Sequence, residues 1–294
     1  MAFAWFLMIF SILMSVLQSG IVNHLSKTKT GSGSDFHLIN LMDSTAATIF
    51  LLIWGLIDGG LHFSSYTIGF GILFGIVTNL GALFNIKALR NGPMCFTVLI
   101  CSSSMILTAI SGHFLWGQDL TIFKIVGILF MLLSVAFAID YKQGGKSSLK
   151  WLLFCLLNVC CNAGVGIMQG FQQKSDYADE LTPFLIVAFL VSVLVSLCCT
   201  GYSVKVKKEA LTISLKSGTM LALFGTVGFT IALTNVVNLW LQSKLPTAIF
   251  FPVNNGSVVM LESIVAFVLF HERIRKLQIA GLILGIAAIL LLCM

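Results

Sequence analysis

The chain has 294 residues, of which 58% are hydrophobic and only 10% charged, with a net charge of +6. A soluble domain carries about 25% charged residues, so these few cannot clothe a water-facing surface, and a mean hydropathy of +1.01 leaves the bilayer as the solvent that fits. The composition excludes a separate soluble catalytic or nucleotide-binding domain, and the positive charge has to be read loop by loop rather than as a nucleic-acid footprint.

A helical span needs about 20 apolar residues. Polar or glycine-rich breaks predict spans at 3–25, 37–57, 66–88, 93–115, 121–140, 149–172, 182–202, 216–241, 247–270 and 275–293. The opening MAFAWFLMIFSILMSVL has no basic leader and no small-residue cleavage site, so it reads as a retained first span. The linker Tyr141–Lys150 separates a first five-span repeat, residues 1–140, from a second, residues 151–294. Trp5 and Trp151 stand at matching starts, where interfacial aromatics anchor a span.

Displaced by 154 residues, the chain overlays itself: Met94–Ala138 lies on Ala248–Leu292, with Phe96 on Phe250, Ser103 on Ser257, Leu107 on Leu261 and Gly127 on Gly281. A doubled unit with an odd number of spans turns its second copy upside down in the membrane. The expected fold is therefore all-α, with ten transmembrane helices in a 5+5 inverted repeat. The loops agree. Numbered from the first, the odd loops hold 14 of the 17 Lys and Arg residues, and the even loops hold only Lys124, Lys174 and Lys244. Basic loops stay in the cytoplasm, so a multi-pass plasma-membrane protein with both termini outside is expected.

Ionisable and amide side chains inside the spans are the candidate functional residues. Glu262 lies in span nine, roughly 13 Å from its end at about 1.5 Å per residue. A charge near the midplane costs at least about 2.5–3.5 kcal/mol, so Glu262 should face protein or water. It reads either as a proton-coupling or amine-binding carboxylate, or as a structural glutamate between helices. Asn254 and Asn255, bracketed by Pro252 and Gly256, suggest an interrupted helix, which is where transporters place binding sites. Asn235, Asn238 and Gln242 share a face of span eight, and Asn158, Asn162 and Gln169 a face of span six. Gln18 in span one and Asn79 in span three complete the set. Each amide is either inter-helix glue or a substrate contact. Asp43, Lys87 and Arg90 are expected at the water interface. The eight cysteines and five histidines show no metal-ligand spacing, so neither a metal nor a cofactor is expected.

The second half carries Phe270-His271-Glu272-Arg273-Ile274, then Gln278 and Gly281, and the first half carries Trp116-Gly117-Gln118-Asp119-Leu120, then Lys124 and Gly127. With this signature and the 5+5 layout, the chain resembles the ten-span, EamA-like members of the drug/metabolite transporter superfamily along essentially its whole length. The family usually shows an acid where Gln118 stands. The resemblance implies transport of small molecules, often export of amino acids, related metabolites or drugs, through a cavity lined by spans one, three, four, six, eight and nine. It also implies cytoplasmic termini, opposite to the charge bias of this chain. The expected function is secondary transport of a small polar or amphipathic solute by alternating access, with proton coupling open. A functional monomer is expected, with a dimer left open. The alternative is an accessory subunit paired with an oppositely oriented relative. An enzyme is not expected, since no paired acids, zinc helix or serine–histidine set occurs at one depth.

Overall fold

In a hydrocarbon solvent every backbone N–H and C=O must be satisfied within the segment, which leaves helices as the solution for apolar runs of this length. The computed structural model describes the chain except residues 1, 30–32, 59–60, 92–96, 98–99, 102, 139–148, 207, 209–217, 271–275 and 293–294, together with some side chains inside helices, Glu262 among them. Most of the linker, the His271–Ile274 signature and the side chain of Glu262 thus lie outside the described residues. Among the described residues there are ten α-helices and no strand. They are α1 (Ala2–Lys29), α2 (Gly33–Ile57), α3 (Ser65–Asn91), α4 (Ser104–Trp116), α5 (Ile122–Ala138), α6 (Leu149–Lys174), α7 (Leu181–Lys205), α8 (Gly218–Lys244), α9 (Thr247–Phe270) and α10 (Lys276–Leu292). Six segments are long and apolar enough to cross a bilayer: Phe3–Val22, His37–Ile57, Ser65–Ala88, Leu149–Lys174, Ala178–Lys205 and Gly218–Lys244. The helices at the other four predicted positions are apolar but shorter over the described residues.

The chain folds into two compact units, and each draws on both halves of the sequence. Unit one comprises residues 1–8, 80–171 and 241–294. Its main helix pair is α5 with α10, and α9 packs on α4, α5 and α10. Small residues let these backbones approach. A Cβ on Gly256 would meet the Met131 thioether, one on Gly285 the Met260 thioether, and one on Gly127 the Leu292 side chain. Ser134 Oγ donates to Gly281 O at 2.7 Å, tying α5 to α10. Trp151, expected at the membrane interface, is instead buried against Ala88 and Cys155 and donates its Nε1 proton to Thr97 Oγ1 at 2.8 Å. A buried indole N–H usually finds such an acceptor.

Unit two comprises residues 9–79 and 172–240. Here α2 pairs with α7, Leu38 and Ile39 of α2 cluster with Phe224 of α8, and Gly228 of α8 lies against Ala46 and Ala47. Gly71 and Gly75 admit Val187 and Val191 of α7 close to the α3 backbone. Asp43, expected at the water interface, is in fact buried at 5% exposure. The reason is packing: Asp43 lies between Leu38–Ile39, which cluster with Phe224, and Ala46–Ala47, which meet Gly228.

Both units close a helix start with a side chain from a distant loop. A helix N-terminus leaves its first N–H groups without intrahelical acceptors. In unit two, Glu180 Oε2 accepts from Ser64 N at 3.0 Å and from Ser64 Oγ at 2.7 Å, while Ser64 Oγ accepts from Thr67 N at 3.1 Å at the start of α3. In unit one, the part falls to Gln118. Helix α4 ends at Gly117, whose left-handed φ of 60° is open to glycine at little cost. The N–H groups of Gly117 and Gln118 return to His113 O and Gly112 O at 3.0 and 3.1 Å, the first of them the 5→1 bond of a left-handed helix cap. The turn points Gln118 Oε1 at α9, where it accepts from Thr247 N at 2.9 Å and Thr247 Oγ1 at 2.8 Å. Gly112 has to stay small, because a Cβ there would collide with the Thr247 hydroxyl.

Gln118→Leu strands two donors at the start of α9 and should lower stability by about 1–2 kcal/mol. Gln118→Glu should hold, since a carboxylate suits a helix N-terminus. Thermal unfolding of the purified variants in detergent measures both. Equal stability of Gln118→Leu and wild type would show that the clasp contributes nothing.

Candidate functional site

In unit one, α4, α6 and α9 converge on Gly166. With no side chain there, Thr108 Cγ2 of α4 and Phe251 Cζ of α9 stand only 2.7 and 2.8 Å from where a Cβ would be. About one turn to either side on α6 are Asn162 and Gln169. Asn162 Nδ2 donates to Asn158 Oδ1 at 2.9 Å, and Asn158 Nδ2 donates to Gly81 O of α3 at 2.8 Å. Asn158 is buried, whereas Asn162 is exposed. Gln242 Nε2 donates to Gln169 Oε1 at 2.8 Å, and both side chains are buried.

Two acceptors are left over. Gln242 Oε1 and Asn254 Oδ1 are buried and have no hydrogen-bond partner among the described residues. Asn254 is 6% exposed and lies one turn beyond Phe250 and Phe251 on α9. Those two rings are 5.0 Å apart and set edge to face. A buried polar group without a partner costs about 1–3 kcal/mol, so each of these oxygens is a point where a donor from outside the protein gains more than elsewhere. The chemistry that fits is an N–H or O–H donor: an ammonium, an amide, a hydroxyl or water. Asn255 is exposed, and the α9 backbone continues to Glu262, whose side chain is outside the described residues. The interruption expected at Pro252 and Gly256 does not occur. Helix α9 runs from Thr247 to Phe270 with Pro252 inside it. Pro252 falls in the second turn, where the cost of its missing N–H is a single lost bond to Ala248 O.

The other four sequence candidates belong to unit two, and three of them are engaged within the protein. Ser11 Oγ donates to Asn238 Oδ1 at 2.6 Å. Asn79 Nδ2 donates to Ser192 Oγ and to Gly75 O, each at 2.8 Å. Asn235 Nδ2 turns back onto Ile231 O of its own helix at 2.9 Å. Gln18 is half-buried. Gln169 and Gln242 were legible as members of the inward amide faces but not as each other's partner. Gln118 and Asp43 gave no sign in the sequence of the partners or the burial they have. Among the described residues no three His, Cys, Asp or Glu side chains gather as a metal site.

Residues 6–139 match the model of the EamA-like transporter family. The resemblance carried by the sequence is to that family, whose members are membrane transporters. A solved structure described only as "Crystal structure of protein" superposes with a TM-score of 0.76 at 15% identity, covering 99% of this chain and 96% of its own. That likeness shows the fold. No curated protein matches the sequence. The EamA-like match and the apolar helices together make this a multi-pass membrane protein.

Asn158→Ala removes the donor to Gly81 O and the acceptor of Asn162 together and should cost about 1–3 kcal/mol. Asn254→Leu removes an acceptor that has no donor, so stability should be unchanged or higher. Side-by-side melting curves test the contrast. A large loss for Asn254→Leu would mean that its amide is satisfied inside the protein.

Proposed function

We propose that this EamA-like chain is a secondary transporter that moves a small polar or amphipathic metabolite, amino acid-like or drug-like, across the plasma membrane by alternating access. The observation that carries this reading is the buried amide oxygen of Asn254, without a hydrogen-bond partner among the described residues and one turn beyond the Phe250–Phe251 pair on α9, with the oxygen of Gln242 a second such acceptor in the same unit. They favour a solute with N–H or O–H donors and an apolar body. Of the sequence candidates, Asn254 is the first substrate contact and Asn162 the second. Asn79, Asn158 and Asn238 position helices through the hydrogen bonds they already make, and Asn235 is bonded to its own helix. Glu262 would meet a substrate amine or carry a proton. No Walker A motif occurs in the sequence, so a gradient supplies the driving force.

The architecture proposed with this function is a ten-span 5+5 inverted repeat, residues 1–140 and 151–294 joined by 141–150. Two features support it. Helix α5 shifted by 154 residues coincides with α10, and each unit is built on a pair of corresponding helices, α5 with α10 and α2 with α7. Inverted repeats supply two nearly equivalent conformations, which is what alternating access requires. The Lys and Arg bias favours external termini and a cytoplasmic linker. That same bias, opposite to what is usual in the family, is what favours the second reading: an accessory subunit paired with an oppositely oriented relative.

Counterflow of radiolabelled amino acids into proteoliposomes at two pH values tests the main reading. Wild type should exchange label, Asn254→Leu should lose it by tenfold or more while remaining folded, and Glu262→Gln should either lose it or lose its pH dependence. No exchange by the purified chain alone, restored by a co-reconstituted relative, would favour the accessory reading. Orientation has its own assay. A single cysteine at Ser147 in a cysteine-free background should react with an impermeant maleimide only after cells are opened. Labelling of intact cells would reverse the proposed topology.

A further inference from the structure

Helices α2 and α7 of unit two carry more buried polar groups than two apolar spans need. On α7, Ser192, Ser196, Thr200 and Ser203 are all buried, at spacings of four, four and three residues that put them on one face. Asn40 Nδ2 of α2 donates to Ser196 Oγ at 2.7 Å and registers the two helices. One turn further along α2 is Asp43, buried with Ser44 and Thr48. Thr48 is consumed by its own helix, since its hydroxyl donates to Ser44 O at 2.7 Å. Asp43 Oδ1 and Thr200 Oγ1 have no hydrogen-bond partner among the described residues.

A buried carboxylate keeps its charge only against a cation or several donors. The elements packed against α2 offer little of either. On α7 the ionisable side chains are Cys198, Cys199, Tyr202 and Lys205, each exposed or half-exposed. Helix α8 has none between Gly218 and Trp240, and α1 has none among its described side chains. On α2 itself, Asp35 and His37 lie about two turns nearer its start and have interactions of their own.

We propose that Asp43 is a proton-binding carboxylate: in this arrangement it holds a proton, and it exchanges that proton with water when the α2–α7 seam opens. The step is simple ionisation, Asp43 carboxylic acid and water giving carboxylate and hydronium, with the reverse on closing. Protonated, the group is neutral and gains an O–H donor. Glu262, the carboxylate legible in the sequence, is a separate group in a different unit. That the Asp43 proton is coupled to solute movement rests on the transporter reading, whereas the protonation itself does not.

The test is infrared difference spectroscopy on the full chain in lipid, in sodium-free buffer at neutral pH and with Glu262→Gln as background. A carboxylic-acid C=O stretch that moves in heavy water, disappears in Asp43→Asn and shifts in Asp43→Glu is the expected result. Should Asp43→Asn fail to fold, the shift in Asp43→Glu decides alone. An unchanged band in both variants, or one that emerges only under acid conditions where ordinary carboxylates protonate, overturns the proposal. Disappearance of the band on adding sodium chloride at constant pH also overturns it, in favour of a metal-cation site. Counterflow by the wild-type chain in proteoliposomes of the same lipid keeps the two readings apart. The band without wild-type counterflow upholds the proton site and sinks the transporter reading, and counterflow without the band does the reverse.

Discussion

The bilayer offers no water to a stranded donor or acceptor, and the rest of this structure depends on that constraint. It forces the backbone into helices, and it forces each polar side chain inside them to find a partner in the protein or to stand out. Most find one. Asn79 bonds Ser192, Asn158 bonds Gly81, Ser11 bonds Asn238 and Ser134 bonds Gly281, each linking two helices. Against that background, the oxygens of Asn254, Gln242 and Asp43 are conspicuous. In water an unpartnered amide would mean little. Here it identifies where the protein leaves chemistry unfinished.

The same constraint governs the helix ends. Gln118 closes the start of α9 in unit one, and Glu180 closes the start of α3 in unit two. In each case one side-chain oxygen from a distant loop meets a backbone N–H and a hydroxyl. Gln118 can reach because Gly117 turns the chain through a left-handed residue and Gly112 leaves room for the Thr247 hydroxyl. The Gln118 clasp fixes the entry of α9, the helix that carries Phe250, Phe251 and Asn254. The aromatic pair and the unpartnered amide are thereby held one turn apart on a rigid element rather than on a loop.

Close approach of helices is achieved by small residues rather than by apolar burial, because lipid is as apolar as leucine. Gly256 and Gly285 accept the thioethers of Met131 and Met260, and Gly228 accepts Ala46. Gly166 differs in consequence. Its missing side chain brings a threonine methyl and a phenylalanine ring onto α6 between two amides, Asn162 and Gln169. Packing and candidate chemistry meet at that one glycine.

Composition and hydropathy alone determined that the chain is helical and membrane-embedded, and they placed a helix at each of ten positions, because a bilayer span is a local, one-dimensional property of about 20 residues. The amide faces of α6 and α8 were legible for the same reason, through helical spacing. What spacing does not hold is who lies opposite. Asn235 and Asn254 look alike as letters, yet one bonds its own helix and the other bonds nothing among the described residues. Asp43 reads as interfacial until α2 is seen packed against α8 on either side of it, and Pro252 reads as a break until α9 is seen to continue through it. Pairing and burial belong to contacts between segments far apart in the chain, such as Thr247 with Gln118 and Asn40 with Ser196, so only the tertiary structure decided them.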